Sequence, residues 1–275
     1  MCKNKISLIA SDIDGTLLDS KSCLTKRTRR ALLCAHEQGI HTVIATGRSF
    51  KALPKALRHL EVLEYVITSN GTSIFRQSDG RRIYGADMPK GMVEAVYRLF
   101  KMYSYPVEVF IEGQAYAMKA YWENPAAYGN IAVPYVRQTR IPVSDMDSFI
   151  SQHCHQIEGM DTVVNDSKVK EEIRRKLEDV GHIYVTSSSE HYIEVAAGGC
   201  SKASALAHLA SMLGVSLKEA IAFGDAENDL EMIKECGCGV AMENGSALLK
   251  AAADIIAPSN DADGVAAVLE KYLWK

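Results

Sequence analysis

Two aspartates, Asp12 and Asp14, open the run Asp12-Ile13-Asp14-Gly15-Thr16-Leu17. They follow an apolar stretch, residues 6–10, and Gly15 lets the chain turn sharply behind them. One carboxylate in such a pair can attack phosphorus while the other gives and takes a proton. A lone Asp-x-Asp is more often a local turn, but the full string through Leu17 is far more specific.

Further polar groups follow predicted strands. Thr46-Gly47-Arg48 comes after an apolar run at 42–45, where a hydroxyl and free backbone N–H groups at a helix start suit a phosphate oxygen. Taken alone, Thr46 is more often a helix cap. Lys202 stands at the start of a predicted helix, where the helix dipole disfavours a cation. That placement suggests a task such as neutralising phosphate, although a single lysine is ordinarily solvated. Gly224-Asp225-Ala226-Glu227-Asn228-Asp229 gathers hard oxygen donors behind another apolar run. Such donors suit Mg²⁺, and the same stretch alone is equally well an acidic first helical turn.

The elements that must position these groups alternate. Residues 6–10, 42–45 and 65–68 read as short buried strands, with helices over 25–38 and 49–60, the second broken near Pro54. The pattern then changes. Asp79-Gly80 and Glu112-Gly113 mark hairpins, helices are predicted over 92–102 and 167–180, strands over 161–165 and 182–186, and 120–150 has weak periodicity. Alternation resumes near Tyr192, with a strand at 192–195, a helix over 202–213, and strands at 220–223, 239–242 and 254–256 between helices. The expected fold is α/β: a Rossmann-like parallel sheet core from residues 1–83 and 191–275, with an inserted α+β domain at 84–190. Sites in such sheets form beyond the carboxyl ends of the strands.

Composition removes several classes. A net charge of −3 gives no general attraction to nucleic acid or to membrane surfaces. The apolar run at 6–10 is shorter than the roughly 7–15 residues of a secretion signal, and no run approaches the ~20 of a membrane span. A cytoplasmic location is expected. The 7 cysteines form no Cys-x-x-Cys pair, and neither Cys236 and Cys238 nor His153-Cys154-His155 has a second matching half for a metal.

Taken together, the Asp12–Leu17 string, Thr46, Lys202 and Gly224–Asp229, in that order, resemble the haloacid dehalogenase superfamily. The similarity is to its Cof-type, sugar-phosphatase-like branch, which Ser69-Asn70-Gly71 and Asp263-Gly264-Val265 also match. One departure is Glu243-Asn244-Gly245, where Gly-Asn-Ala is usual, which adds an acid near the expected site rim.

The resemblance implies a Mg²⁺-dependent phosphatase for a small phosphorylated metabolite, with sugar phosphates the commonest class. Asp12 is the implied nucleophile and Asp14 the general acid and base. Asp12, the Asp14 carbonyl and Asp225 are the implied metal ligands. Ile13, Thr46, Gly47, Lys202 and Asn228 are implied around the phosphoryl group, and Asp229 behind them. The insert corresponds to a C2-type cap that closes over the core. A phosphomutase of the same superfamily shares Asp12 and Asp14. A silent sugar-phosphate sensor would need no nucleophile. Tyr121, Trp122, Tyr128 and Tyr135 could stack on a substrate ring or form the cap's own core.

Overall fold

The computed structural model describes residues 5–130 and 132–273. Its strands are β1 (Leu8–Ser11), β2 (His41–Ala45), β3 (Leu63–Thr68), β4 (Ser73–Arg76), β5 (Arg82–Gly85), β6 (Val107–Ile111) and β7 (Gln114–Met118). They continue as β8 (Arg140–Val143), β9 (Gly159–Val163), β10 (Ile183–Thr186), β11 (Tyr192–Ala197), β12 (Ala220–Gly224), β13 (Cys238–Met242) and β14 (Ile255–Ala257). Within the described residues, one eight-stranded sheet has the order β14-β13-β12-β1-β2-β3-β4-β5, and a six-stranded sheet has the order β10-β11-β9-β6-β7-β8.

In the first sheet β14 through β3 are parallel, and β4 and β5 extend it as an antiparallel hairpin. Its strands are apolar on both faces because helices cover both sides. Ile9, Ile44 and Phe223 pack with Leu32 and Val268, while their neighbours Leu8, Val43 and Ala222 pack with Leu206 and Met232. The helix Lys26–Glu37 begins where Thr25 caps Thr28 N–H. The stretch at 49–60 divides into short helical turns, Phe50–Ala52 and Lys55–Arg58, on either side of Leu53-Pro54.

The second sheet is mostly antiparallel, with β7 and β8 its parallel pair. Val107, Val109, Met160, Ile193 and Val195 face a helix-covered core. The segment at 120–150, weakly periodic in sequence, holds short helices, among them Val133–Thr139 and Met146–His153, and strand β8.

The expectation that the core resumes at residue 191 is corrected by β11. Tyr192–Ala197 pairs antiparallel with β9 and β10, so it belongs to the six-stranded sheet and not to the parallel one. A short alternating strand has the same period in either sheet, and its partner is a tertiary choice. Lys202 is therefore delivered by the helix after the second sheet, not by a strand end of the first.

Candidate active site

β1, β2 and β12 are neighbours or near neighbours in the parallel sheet, so Asp12, Thr46 and Asp225 emerge from the same edge. Residues 13–17 form one wide helical turn in which Asp14 is extended and Gly15 has φ +74°. A Cβ at Gly15 would lie 2.4 Å from Asp225 Oδ2, so only glycine permits both that backbone and that close approach.

Lys202 joins the acids. Its side chain is 0% exposed, and Nζ donates to Asp12 Oδ1 at 2.6 Å and to Asp229 Oδ1 at 2.7 Å. The other Asp229 oxygen accepts from the Asp225 and Ala226 backbone N–H groups at 3.0 and 3.1 Å. Asp229 is thus fully engaged and holds the Asp225 loop against Lys202. The Thr16 hydroxyl donates to Asp225 Oδ1 at 2.8 Å.

One oxygen from each of Asp12, Asp225 and Asp229 lies within 4.8 Å of the others. Burial pushes the Asp12 carboxyl well above its ordinary range, with Lys202 opposing and the neighbouring acids adding to the rise. Burial, then Asp229, pushes Asp225 up to about 6. Burial alone would lower Lys202, but Asp12 and Asp229 outweigh it and raise its pKa. Two buried acids and the half-buried Asp225 beside one lysine leave an excess of negative charge on oxygen donors, which fits a divalent cation. The Asp14 carboxylate is outside this cluster, so only its carbonyl could join the set.

A model of the haloacid dehalogenase-like hydrolases matches residues 9–269. The chain belongs to this family. It is 29% identical over 268 residues to the 5-amino-6-(5-phospho-D-ribitylamino)uracil phosphatase YcsE of Bacillus subtilis (strain 168), covering 98% of this chain and 96% of the relative. A haloacid dehalogenase-like hydrolase from B. subtilis superposes with a TM-score of 0.85 at 26% identity, covering 96% of this chain and 99% of that one. The subclass IIB sugar phosphatase BT4131 has the same fold, with a TM-score of 0.84 at 24% identity over 98% of this chain and 99% of that one. The protein is accordingly a phosphatase of the haloacid dehalogenase type.

In this hydrolase the remaining expected residues are distributed unevenly. Thr46 and Gly47 line the cleft above Asp12, with Thr46 Oγ1 accepting from Arg48 N–H at 3.1 Å. Asn228 lines it too, and donates to Asn70 Oδ1 at 2.9 Å. The Ile13 side chain is packed in the core, so only its backbone can serve a phosphate. Asp14 stands at the cleft wall beside Arg48. Its side chain is 51% exposed and is held by Arg48 through Nε at 2.6 Å and Nη2 at 2.7 Å.

Glu243 is exposed and outside the cleft lining. Its neighbour Asn244 donates to the Gly15 carbonyl at 2.8 Å and props the loop that follows Asp12. Tyr121 is buried among Val136 and Val163, with Tyr128 edge-on against it, whereas Tyr135 faces the cleft with Arg48 and Arg140 each 4.5 Å from its ring centre.

The cleft, about 840 Å³, lies between the two sheets. Its far wall carries Asn130, Tyr135, Arg140, Asp161, Tyr192 and Glu194, residues to which sequence reasoning gave no role except Tyr135. Acids inside otherwise apolar strands, as Asp161 and Glu194 are, were the available signal. Among the described residues no helix is long and apolar enough to cross a membrane.

Proposed function

We propose that this phosphatase hydrolyses sugar phosphates or similar phosphomonoesters through a phosphate ester of Asp12, with Mg²⁺ held by Asp12, the Asp14 carbonyl and Asp225. The supporting observation is the buried ion pair between Lys202 and Asp12 at the floor of the cleft. A lysine with no solvent contact, bound to a carboxylate that still faces a cavity, suits a dianion arriving at that carboxylate.

Asp12 attacks phosphorus, and the bond from phosphorus to the ester oxygen breaks. Asp14 gives its proton to the departing alcohol. A water then attacks the phosphorus of the aspartyl phosphate while Asp14 takes a proton from it. The bond from phosphorus to Asp12 breaks, and inorganic phosphate leaves. When bound, Mg²⁺ supplies positive charge that offsets repulsion between Asp12 and the phosphate dianion. Lys202 adds to that effect, and Asp229 holds Lys202 in place. Thr46, Gly47, Asn228 and the Ile13 backbone hold the phosphoryl oxygens. The segment carrying β6–β11 acts as a cap that excludes water and selects the ester.

The test pairs two variants with para-nitrophenyl phosphate, whose leaving group hardly needs an acid. Asp12→Asn should show no turnover and no covalent phosphate. Asp14→Asn should give a burst of about one nitrophenolate per site followed by slow turnover, with an added phosphate found by mass on Asp12. A burst from Asp12→Asn would refute the mechanism, as would full activity in metal-stripped enzyme.

A further inference from the structure

The cap sheet presents acids in a row. Glu108 stands opposite Asp161, and Asp161 stands opposite Glu194, across the adjacent strands β6, β9 and β11. Residues opposite one another share a face, and like charges so placed are destabilising unless something answers them.

The two outer acids are answered. Arg140 donates to Glu108 through Nε and Nη2, the shortest contact being 2.7 Å. Ser188 donates to Glu194 at 2.5 Å and Asn70 at 3.2 Å. The middle acid is not: among the described residues the Asp161 carboxyl has no hydrogen-bond or ion-pair partner, although the residue is only 7% exposed. Burial and both flanking acids raise its pKa, and Arg140 offsets this only in part.

The Asp161 oxygens open on the cleft, where water or a ligand's hydroxyls can supply the donors the protein does not. The opposite wall of that cleft is Asp12, Thr46 and Asn228. A phosphate seated at Asp12 would leave the rest of its ester facing this wall.

We propose that Asp161 is a specificity-determining residue whose carboxyl hydrogen-bonds hydroxyl groups on the alcohol part of the ester. The assignment rests on the reading of Asp12 as the phosphate end of the cleft. The Glu108–Arg140 pair and the Glu194–Asn70 contact keep the flanking acids occupied, so the ligand meets Asp161 as the wall's free acceptor.

The experiment compares the full-length enzyme with Asp161→Ala and Asp161→Asn in Mg²⁺, using sorbitol 6-phosphate and para-nitrophenyl phosphate. Wild type should have the lower KM for the hydroxylated ester. Asp161→Ala should lose roughly 10-fold or more in kcat/KM for sorbitol 6-phosphate, mostly through KM, for want of a hydrogen bond to the ester's hydroxyls. Its para-nitrophenyl phosphate activity should stay within about 3-fold, since that ester offers no hydroxyl donor. Asp161→Asn, close in shape and still able to hydrogen-bond a hydroxyl, should recover most of the loss seen in Asp161→Ala. Both variants should melt at or above the wild-type temperature, because Asp161 has no protein partner to lose.

Equal changes on every ester, no change on any, no wild-type preference, or a marked drop in melting temperature for Asp161→Asn would each overturn the assignment. If para-nitrophenyl phosphate is turned over by all forms with unchanged ester preference, the assignment alone fails. If wild type turns over none of the esters with Mg²⁺, the reading beneath it fails as well.

Discussion

Arg48 grips Asp14 with two parallel hydrogen bonds, of 2.6 and 2.7 Å, and its guanidinium lies against the Tyr135 ring. The residue proposed as acid and base is thus held from behind the Thr46-Gly47 turn, by a side chain that also reaches the cap. Such a fork fixes a carboxylate in direction as well as in place.

Arg48→Lys cannot make that fork and should misplace Asp14. With an alkyl phosphate, whose leaving oxygen needs a proton, kcat/KM should fall roughly 10-fold or more. With para-nitrophenyl phosphate the loss should be under about 3-fold, since little acid assistance is required. Equal losses on both esters would show that Arg48 serves substrate binding and not Asp14.

Lys202 lies between two acids with no route to solvent. Lys202→Met should lower kcat/KM by about 10²-fold or more, the usual effect of removing one electrostatic stabiliser. It also leaves Asp12 and Asp229 buried without their cation, so the metal-free variant should lose on the order of 3 kcal/mol in urea melts. Lys202→Arg should recover little, because a planar fork does not fit the slot of a compact ammonium. Near-normal kinetics in Lys202→Met would remove the residue from the site.

Asp225 sits at about 6 in the folded chain against an ordinary 3.8, through burial first and Asp229 second, with the Thr16 hydrogen bond opposing. Between those values the folded form holds more protons than the unfolded one. Metal-free stability should therefore fall as pH rises through this window, the protection being present on the acid side. Asp12, shifted in the same direction, adds to the slope. In EDTA the melting temperature should drop by at least about 2 °C between pH 5 and pH 7.5. Asp225→Asn should flatten that slope and raise the metal-free melting temperature at the higher pH, while abolishing activity. A wild-type slope unchanged in Asp225→Asn would mean that Asp225 is not the source.

The sequence by itself determined the family and the parallel core. Local strings carried both: Asp12 through Leu17, Thr46-Gly47 and Gly224 through Asp229 each couple a strand end to the turn behind it, and strand ends of a parallel sheet share one edge. Lys202 was legible as a cation in an unfavourable place at a helix start. Other features depended on which distant segments meet, and no local pattern encodes that. The alternation in β11 suits either sheet, and pairing with β9 chose the second. Arg48 was visible beside Thr46, but its grip on Asp14 joins the ends of two strands. The row of Glu108, Asp161 and Glu194 exists only through strand register, since each acid is unremarked in its own segment and becomes a wall of the cleft when the three strands align. The acids at the strand ends were readable because their geometry is set within a turn. Residues on the far wall of the cleft were not, because cross-strand register and the packing of one sheet over the other decide what faces it.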